Sequence, residues 1–182
     1  QLSEFFGYYL QVKVSEDDLL ITPGRQELLD ALIINYQPQL TLVEKSLSSL
    51  LAQNHLESSS KLLQVPGKVE YLVELVERLK PDLLITRLDE QEIQSSHLVQ
   101  QLVNCASKAS CLLVLDLTDH MDLSSEPVNH GVYRYLSGHK MPNNLLLMAD
   151  LVNNKVYQNY SLNFALCNNP NMRQALVDSA EL

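Results

Sequence analysis

The stretch VEYLVELVERLKPDLLIT, residues 69–86, decides the fold class because it contains a complete helix, a break and a strand. The apolar residues of its first part recur every three or four positions, with charged side chains between them, which predicts an amphipathic helix over 69–80. Pro81 cannot continue a helix and marks its end. The run that follows, 82–86, is short, apolar and rich in β-forming residues, which predicts a buried strand.

The same alternation of strand and helix extends in both directions from this unit. Strands are predicted over 18–22, 39–43, 62–65, 110–115, 144–149 and 157–166, and helices over 25–36, 46–53, 90–106 and 170–182. This order favours a three-layer α/β fold with a mostly parallel sheet and helices on both faces. We expect the strands at 19–22, 40–43, 83–86, 111–115 and 145–149 to be buried. Residues 1–182 are expected to form a single domain, a fragment of a longer chain, since the sequence does not begin with Met.

Composition and charge argue against several classes of function. Lysine and arginine number 13 against 22 aspartates and glutamates, a net charge of −9, which argues against binding to nucleic acid. No apolar run approaches the roughly 18 residues that a membrane-spanning helix needs, so no membrane contact is expected. The three cysteines, Cys105, Cys111 and Cys167, fit neither a zinc site nor a disulfide framework. We expect them to be buried thiols in a reducing compartment, the cytoplasm.

Two segments that follow predicted strands are candidates for a site, because ligands of α/β sheets bind beyond the carboxyl ends of the strands. The first is 22–26, Thr-Pro-Gly-Arg-Gln, where the free N–H groups of the next helix can hold a phosphate and Arg25 adds a positive charge. Alternatively, its Pro-Gly pair only makes the turn. The second is 116–122, with three carboxylates and a histidine, which can bind a metal or a protonated nitrogen, or form a solvated loop.

Asp116 itself ends an apolar strand, so its carboxylate needs partners. The candidates along the sequence are the N–H groups of Thr118 and Asp119, the Thr118 hydroxyl and a His120 cation. We therefore expect Asp116 to be partly buried and hydrogen-bonded to its own loop as a structural cap.

The run from Tyr8 to Asp30, with its core LLITPGRQELLD, resembles the start of the large domain of class I/II pyridoxal-phosphate aminotransferases. The resemblance continues to the end of the chain. It implies that the chain has the α/β fold of that large domain, of which only a part is present. It implies that Asp116 stands where that family pairs a carboxylate with the pyridine nitrogen of the cofactor, and that 24–26 is the phosphate-binding turn. The remnant positions of the cofactor site are then Gly24, Arg25, Gln26, Asp116 and Lys155.

Other positions of the family pattern are lost. Leu47 stands where an aromatic residue should stack on the cofactor ring, and Thr-Arg-Leu-Asp-Glu at 86–90 replaces an Asn-Pro-rich loop. Asn153 occupies the position of the lysine that forms the imine, with Lys155 two residues further on. Because the chemistry requires that lysine, we predict no catalytic residue and no covalent cofactor in this segment. We also predict no metal, because the sequence has no ligand spacing of the kind seen in zinc sites. A working pyridoxal-phosphate site that uses Lys155 and Asp116 is the alternative.

Separate blocks at 79–86, 113–125, 131–136 and 153–157 resemble the middle of the plant-type methionine S-methyltransferase family. This resemblance implies a cytosolic parent enzyme that makes S-methylmethionine from methionine and S-adenosylmethionine, with the S-adenosylmethionine site upstream of this segment. The segment itself is then a non-catalytic accessory or regulatory module whose partner is the remainder of the parent chain. A purely structural dimerisation domain, which would form a homo-oligomer, is a further alternative.

Overall fold

The structure is a computed structural model of the chain and describes residues 2–5, 15–51, 60–118, 131–152 and 161–180. The strands in this part of the chain are β1 (Leu19–Thr22), β2 (Leu40–Glu44), β3 (Lys61–Val65), β4 (Leu83–Thr86), β5 (Leu112–Asp116), β6 (Leu145–Val152) and β7 (Ser161–Cys167). The helices are α1 (Leu2–Phe5), α2 (Arg25–Tyr36), α3 (Ser48–Leu51), α4 (Val69–Leu79), α5 (Ser96–Lys108), α6 (Gly131–Gly138) and α7 (Pro170–Ala180). Short 3₁₀ turns precede β1 and α3.

The strands form one sheet in the order β1-β7-β6-β5-β4-β2-β3. Strands β2 to β6 pair in parallel, and β7 lies antiparallel to both of its neighbours, β6 and β1. The carboxyl ends of β2, β4 and β5 therefore lie side by side at one edge of the sheet. The predicted mostly parallel α/β sheet is confirmed.

Helices cover both faces of the sheet and enclose two cores. Successive residues of β5 point to opposite faces, so that Leu113 and Leu115 contact the core under α4, α5 and α6, while Leu112 and Val114 contact the core under α2, α3 and α7. All four side chains are buried, as a central parallel strand requires. This arrangement confirms the three layers.

The decisive unit around α4 folds as its pattern predicts. Val76 is completely buried, and Val73 packs against the same core. The helix ends where Lys80 adopts a left-handed conformation, with φ of 49°, and donates its N–H to Val76 O at 3.1 Å. Leu79 lies outside the apolar stripe that was predicted to include it, because it is 38% exposed at this last turn.

Three further details differ from the sequence prediction. Helix α5 begins at Ser96 rather than near residue 90, because the Ser95 side chain caps it by accepting the N–H of Leu98 at 3.2 Å. The predicted helix at 46–53 is a 3₁₀ turn followed by the four residues of α3, and positions 52 and 53 lie outside the described residues. The strand at 19–22 was expected to be buried, but Leu19 and Leu20 are only half-buried and Ile21 is 55% exposed, because β1 is an edge strand that pairs only with β7.

No helix in the described ranges is long and apolar enough to cross a membrane. The same ranges contain no group of three or more His, Cys, Asp and Glu side chains that could hold a metal ion. Most of the candidate metal segment, positions 119–122, lies outside them.

Candidate functional site

A cluster of charged and hydroxyl side chains lies at the carboxyl edge of the central strands. Asp116 ends β5 and Thr118 follows it, Arg87 follows β4, and Arg25 is the first residue of α2. We call these four residues the arginine–aspartate cluster. Its position is the one where α/β sheets bind their ligands.

Asp116 is the centre of this cluster. Its side chain is completely buried, and its Oδ2 accepts hydrogen bonds from Arg25 Nη1 at 2.8 Å and Arg87 Nη1 at 3.0 Å. The other oxygen, Oδ1, accepts the backbone N–H of Thr118 at 3.1 Å. A buried carboxylate is costly unless it is paired and hydrogen-bonded, and here both oxygens are engaged.

Thr118 completes the arrangement and holds both arginines. Its Oγ1 accepts from Arg87 Nη1 at 2.8 Å and from Arg25 Nη1 at 3.2 Å, and its carbonyl accepts from Arg87 Nη2 at 2.8 Å. The guanidinium group of Arg87 thus contacts both the end of β5 and the residue two positions further along. This fixes its orientation.

Glu44, at the end of β2, positions the backbone of Arg87. Its Oε1 accepts the Thr86 hydroxyl at 2.7 Å and the Arg87 N–H at 3.1 Å, and its Oε2 accepts the Ser46 hydroxyl at 2.5 Å. Gly67 gives this carboxylate room, since a Cβ there would collide with Glu44 Oε1. The segments that follow β2 and β4 are therefore tied together beside the cluster.

The side chains of the predicted phosphate-binding turn at 24–26 point to different partners. Arg25 reaches Asp116, whereas Gln26 turns away and donates its amide to Leu50 O at 2.7 Å and to Asp30 Oδ1 at 3.1 Å. Gly24 is the N-cap of α2 with extended backbone, and a Cβ there would lie 2.7 Å from a carboxylate oxygen of Glu27. The turn brings a negative charge as well as a positive one to this helix end.

The expectations for Asp116 are met in part. The hydrogen bond from the Thr118 N–H is confirmed, but Asp116 is fully rather than partly buried, and its main partners are two arginines that lie outside its loop. The Thr118 hydroxyl accepts from the arginines, whereas the prediction made it a partner of Asp116. Asp119, His120, Asn153 and Lys155 lie outside the described residues.

The pyridoxal-phosphate site that the resemblance implies does not fit these residues. The cofactor would extend from the turn at 24–26 to Asp116, and the Arg25 side chain already joins those two points. Oδ2 of Asp116 has two guanidinium partners where a pyridine N–H would have to donate. Leu47, at the stacking position, is buried and offers no aromatic ring.

The three cysteines are free and buried, as predicted. Burial raises the pKa of the Cys111 thiol to about 12, and it raises the pKa values of Cys105 and Cys167 in the same direction. Because the thiolate is the reactive form, these cysteines are not nucleophiles at neutral pH.

The sequence was compared with known proteins, and no family model matches it. It is 26% identical over 189 residues to methionine S-methyltransferase of Hordeum vulgare, covering 98% of this chain and 17% of that protein. The enzymes of the same name from Zea mays and Arabidopsis thaliana are 25% and 24% identical, over 98% and 100% of this chain and 18% of theirs. The chain therefore spans less than a fifth of the length of these relatives.

The solved structures with similar folds bear on the architecture. Aspartate aminotransferase from Thermotoga maritima superposes with a TM-score of 0.67 at 13% identity, over 99% of this chain and 50% of that one. Cystalysin from Treponema denticola, which contains pyridoxal 5'-phosphate, gives a TM-score of 0.64 at 11% identity, over 98% and 48%. Over its whole length the chain is thus similar to one segment of the methionine S-methyltransferases, and it has the fold of the aminotransferase large domain.

Proposed function

We propose that this chain is a non-catalytic accessory module, aminotransferase-like in fold, of a methionine S-methyltransferase. The parent enzyme would make S-methylmethionine from methionine and S-adenosylmethionine in the cytoplasm, with the S-adenosylmethionine site elsewhere in its chain. Residues 1–182 would form one domain of it, and the remainder of the parent would be its partner. The similarity along the whole of this chain to enzymes of that name supports the parent.

The pairing of Asp116 with Arg25 and Arg87 is the single observation that carries the non-catalytic part of the proposal. A pyridine ring could reach this carboxylate only if it displaced a guanidinium group from Oδ2. That exchange would break charge-assisted hydrogen bonds in a site where Asp116 is sealed from water. The side chains therefore stabilise the fold without the cofactor.

The test is to mix the chain with pyridoxal phosphate, record the imine absorbance band, and trap imines with borohydride. Exposed lysines react with aldehydes, so the matched control is Lys155→Ala. We expect the unmodified 182-residue chain and its Lys155→Ala variant to give the same non-saturable absorbance, with the trapped label spread over several lysines. A saturable band that disappears in Lys155→Ala would mean that the segment has a working cofactor site and would overturn the proposal.

A second measurement addresses the parent enzyme. The methyl-transfer rate of the full-length protein should be unchanged by Asp116→Asn when it is normalised to folded protein at a permissive temperature. A large fall in kcat without a loss of folded protein would assign Asp116 to the reaction itself.

A further inference from the structure

The two edges of the sheet are not protected alike. Strand β3, at one edge, contains the charged residue Lys61, whereas β1, at the other edge, has the uncharged sequence Leu-Leu-Ile-Thr. Proteins usually charge or cover an edge strand, because its unpaired backbone is a template for a further strand. The uncharged β1, with Ile21 55% exposed, is therefore the edge that is open to another strand.

One residue of β1 offers its backbone at this edge. The N–H of Leu19 bonds to Glu16 O, and its carbonyl accepts from Arg173 Nη2 at 3.1 Å, so both groups point away from β7 and are engaged. The direction of the backbone groups alternates along an antiparallel strand, so the N–H and C=O of Ile21 also point away from β7. These two groups hydrogen-bond to none of the residues that the structure describes.

A cavity of about 210 Å³ lies beside these groups, on the side of the sheet that α2 and α7 cover. Leu20, Ala31 and Leu176 are among the residues that line it. An apolar cavity of about 150 Å³ can hold benzene, so this one has room for an aliphatic or aromatic side chain. The Ile21 side chain points to the opposite face, because successive residues of a strand alternate. A strand beside β1 would place one side chain in the cavity and the next against Ile21.

We propose that an extended segment of the parent chain, outside residues 1–182, adds to the sheet as a strand beside β1. Its backbone pairs with the N–H and C=O of Ile21, one apolar side chain fills the cavity, and the next covers Ile21. The inference rests on the proposed function, which supplies the parent chain. This chain spans less than a fifth of the methionine S-methyltransferases that it matches, and about half of the solved chains that share its fold.

Charge favours such a segment over a second copy of this chain. The carboxylates of residues 16–18 precede β1, and Glu27 lines the cavity at the other end of the strand. Arg173 offsets only one of these four charges. Two copies that each carry a net charge of −9 would repel each other if these edges met. We therefore expect the segment to carry lysine or arginine next to its apolar residues.

Hydroxyl-radical footprinting tests the inference, because it compares the exposure of single side chains in the 182-residue chain and in the full-length parent protein. Oxidation of Ile21 should be at least about fivefold lower in the full-length protein, since a side chain that is 55% exposed becomes buried. Tyr71, which is 49% exposed on α4, is the internal control and should react equally in both proteins. Equal oxidation of Ile21 in both, or an equal loss at Ile21 and Tyr71, would overturn the inference.

Amide hydrogen exchange at position 21 reports the backbone pairing, and it should be at least about tenfold slower in the full-length protein. Ala31→Phe fills the cavity and should return the oxidation and the exchange of Ile21 towards their values in the 182-residue chain. Glu77→Phe adds the same ring to an exposed position of α4 and should change neither. Ile21→Lys is a second variant, whose charge should restore fast exchange at position 21. Circular dichroism establishes that each variant is folded, and protection that survives both Ala31→Phe and Ile21→Lys would contradict strand addition.

Sedimentation of the 182-residue chain distinguishes the other occupants, and we expect a monomer. A dimer that Ile21→Lys dissociates would mean that a second copy occupies the edge, which would overturn the inference. So would slow exchange of Ile21 in the 182-residue chain itself, because the chain would then cover its own edge. These outcomes leave the proposed function intact, and only a saturable imine band on Lys155 overturns the proposed function.

Discussion

Replacement of Asp116 by alanine removes the acceptor on which two arginines and a backbone N–H converge. Arg25 and Arg87 then lie next to each other without the carboxylate that both of them contact. The N–H of Thr118 loses its acceptor in a buried loop. The variant therefore tests whether the cluster stabilises the fold.

The size of the effect follows from burial. Removing one partner of a fully buried ion pair costs about 3–5 kcal/mol, because the remaining charge has no water to return to. Here the remaining arginine side chains are 39% and 25% exposed, so the effect is expected to be smaller than for a fully buried pair. We expect Asp116→Ala to lower the free energy of unfolding by about 2–4 kcal/mol. A cap bonded only to its own loop would give about 1–3 kcal/mol.

Denaturant unfolding followed by circular dichroism measures this loss, with Asp178→Ala as an exposed aspartate control that should change stability by less than about 0.5 kcal/mol. A double-mutant cycle that combines Asp116→Ala with Arg87→Gln measures the coupling energy between these two side chains, apart from the other contacts of Asp116. The coupling energy should be about 1–3 kcal/mol, and it should be smaller with Arg25→Gln because Arg25 is the more exposed partner.

Two results would contradict this reasoning. An Asp116→Ala midpoint equal to that of the unmodified chain would mean that the carboxylate contributes no net stability. A coupling energy near zero with both arginines would mean that the loss arises from the Thr118 N–H alone.

Further predictions concern the core, the thiols and the glycines. Val76→Asp should reduce stability by several kcal/mol more than Val73→Asp, since only Val76 is fully buried; denaturant unfolding compares them. Burial raises the pKa of the Cys111 thiol from about 9 to about 12, so between pH 9 and pH 12 the unfolded chain loses this proton while the folded chain keeps it. The free energy of unfolding should therefore fall as the pH rises through this range. Cys111→Ala should make that fall less steep by up to about 1.4 kcal/mol per pH unit, as measured by denaturant unfolding at several pH values. Gly131→Ala places a Cβ 2.6 Å from a backbone oxygen and should lower the melting temperature, whereas Gly138→Ala in the same helix, with nothing within 4 Å, should not.

The fold was predictable because its signals are local. Each helix stripe and each apolar strand is a pattern within about 5 to 18 consecutive residues, and Pro or Gly separates several of them. The errors lie at element ends and sheet edges. The start of α5 depends on a single cap residue, Ser95, and the exposure of Ile21 depends on which strand lies at the edge, which no periodicity reveals.

The site was predictable only in part, for a related reason. Topology alone placed Asp116 and the turn at 24–26 at the carboxyl edge, so their proximity followed from the fold class. The contacts that define the cluster join residues 91 and 29 positions apart. Arg87 was overlooked because it was considered only as a departure from an Asn-Pro loop. The available signal was its place directly after a buried strand, since a cation there has a buried carboxylate to pair with.

Under the proposed function, the cluster explains how an aminotransferase-like fold is stable without pyridoxal phosphate. A carboxylate at the end of β5 is buried by the strands on either side and requires a cation, whatever its source. In the family that the fold resembles, a protonated ring nitrogen fills that role, and here Arg25 and Arg87 do so from neighbouring elements. An aspartate at this position is therefore compatible with both states. The side chains at positions 25 and 87 bear on which state is formed, because both guanidinium groups donate here to the Asp116 oxygen that a ring nitrogen would need.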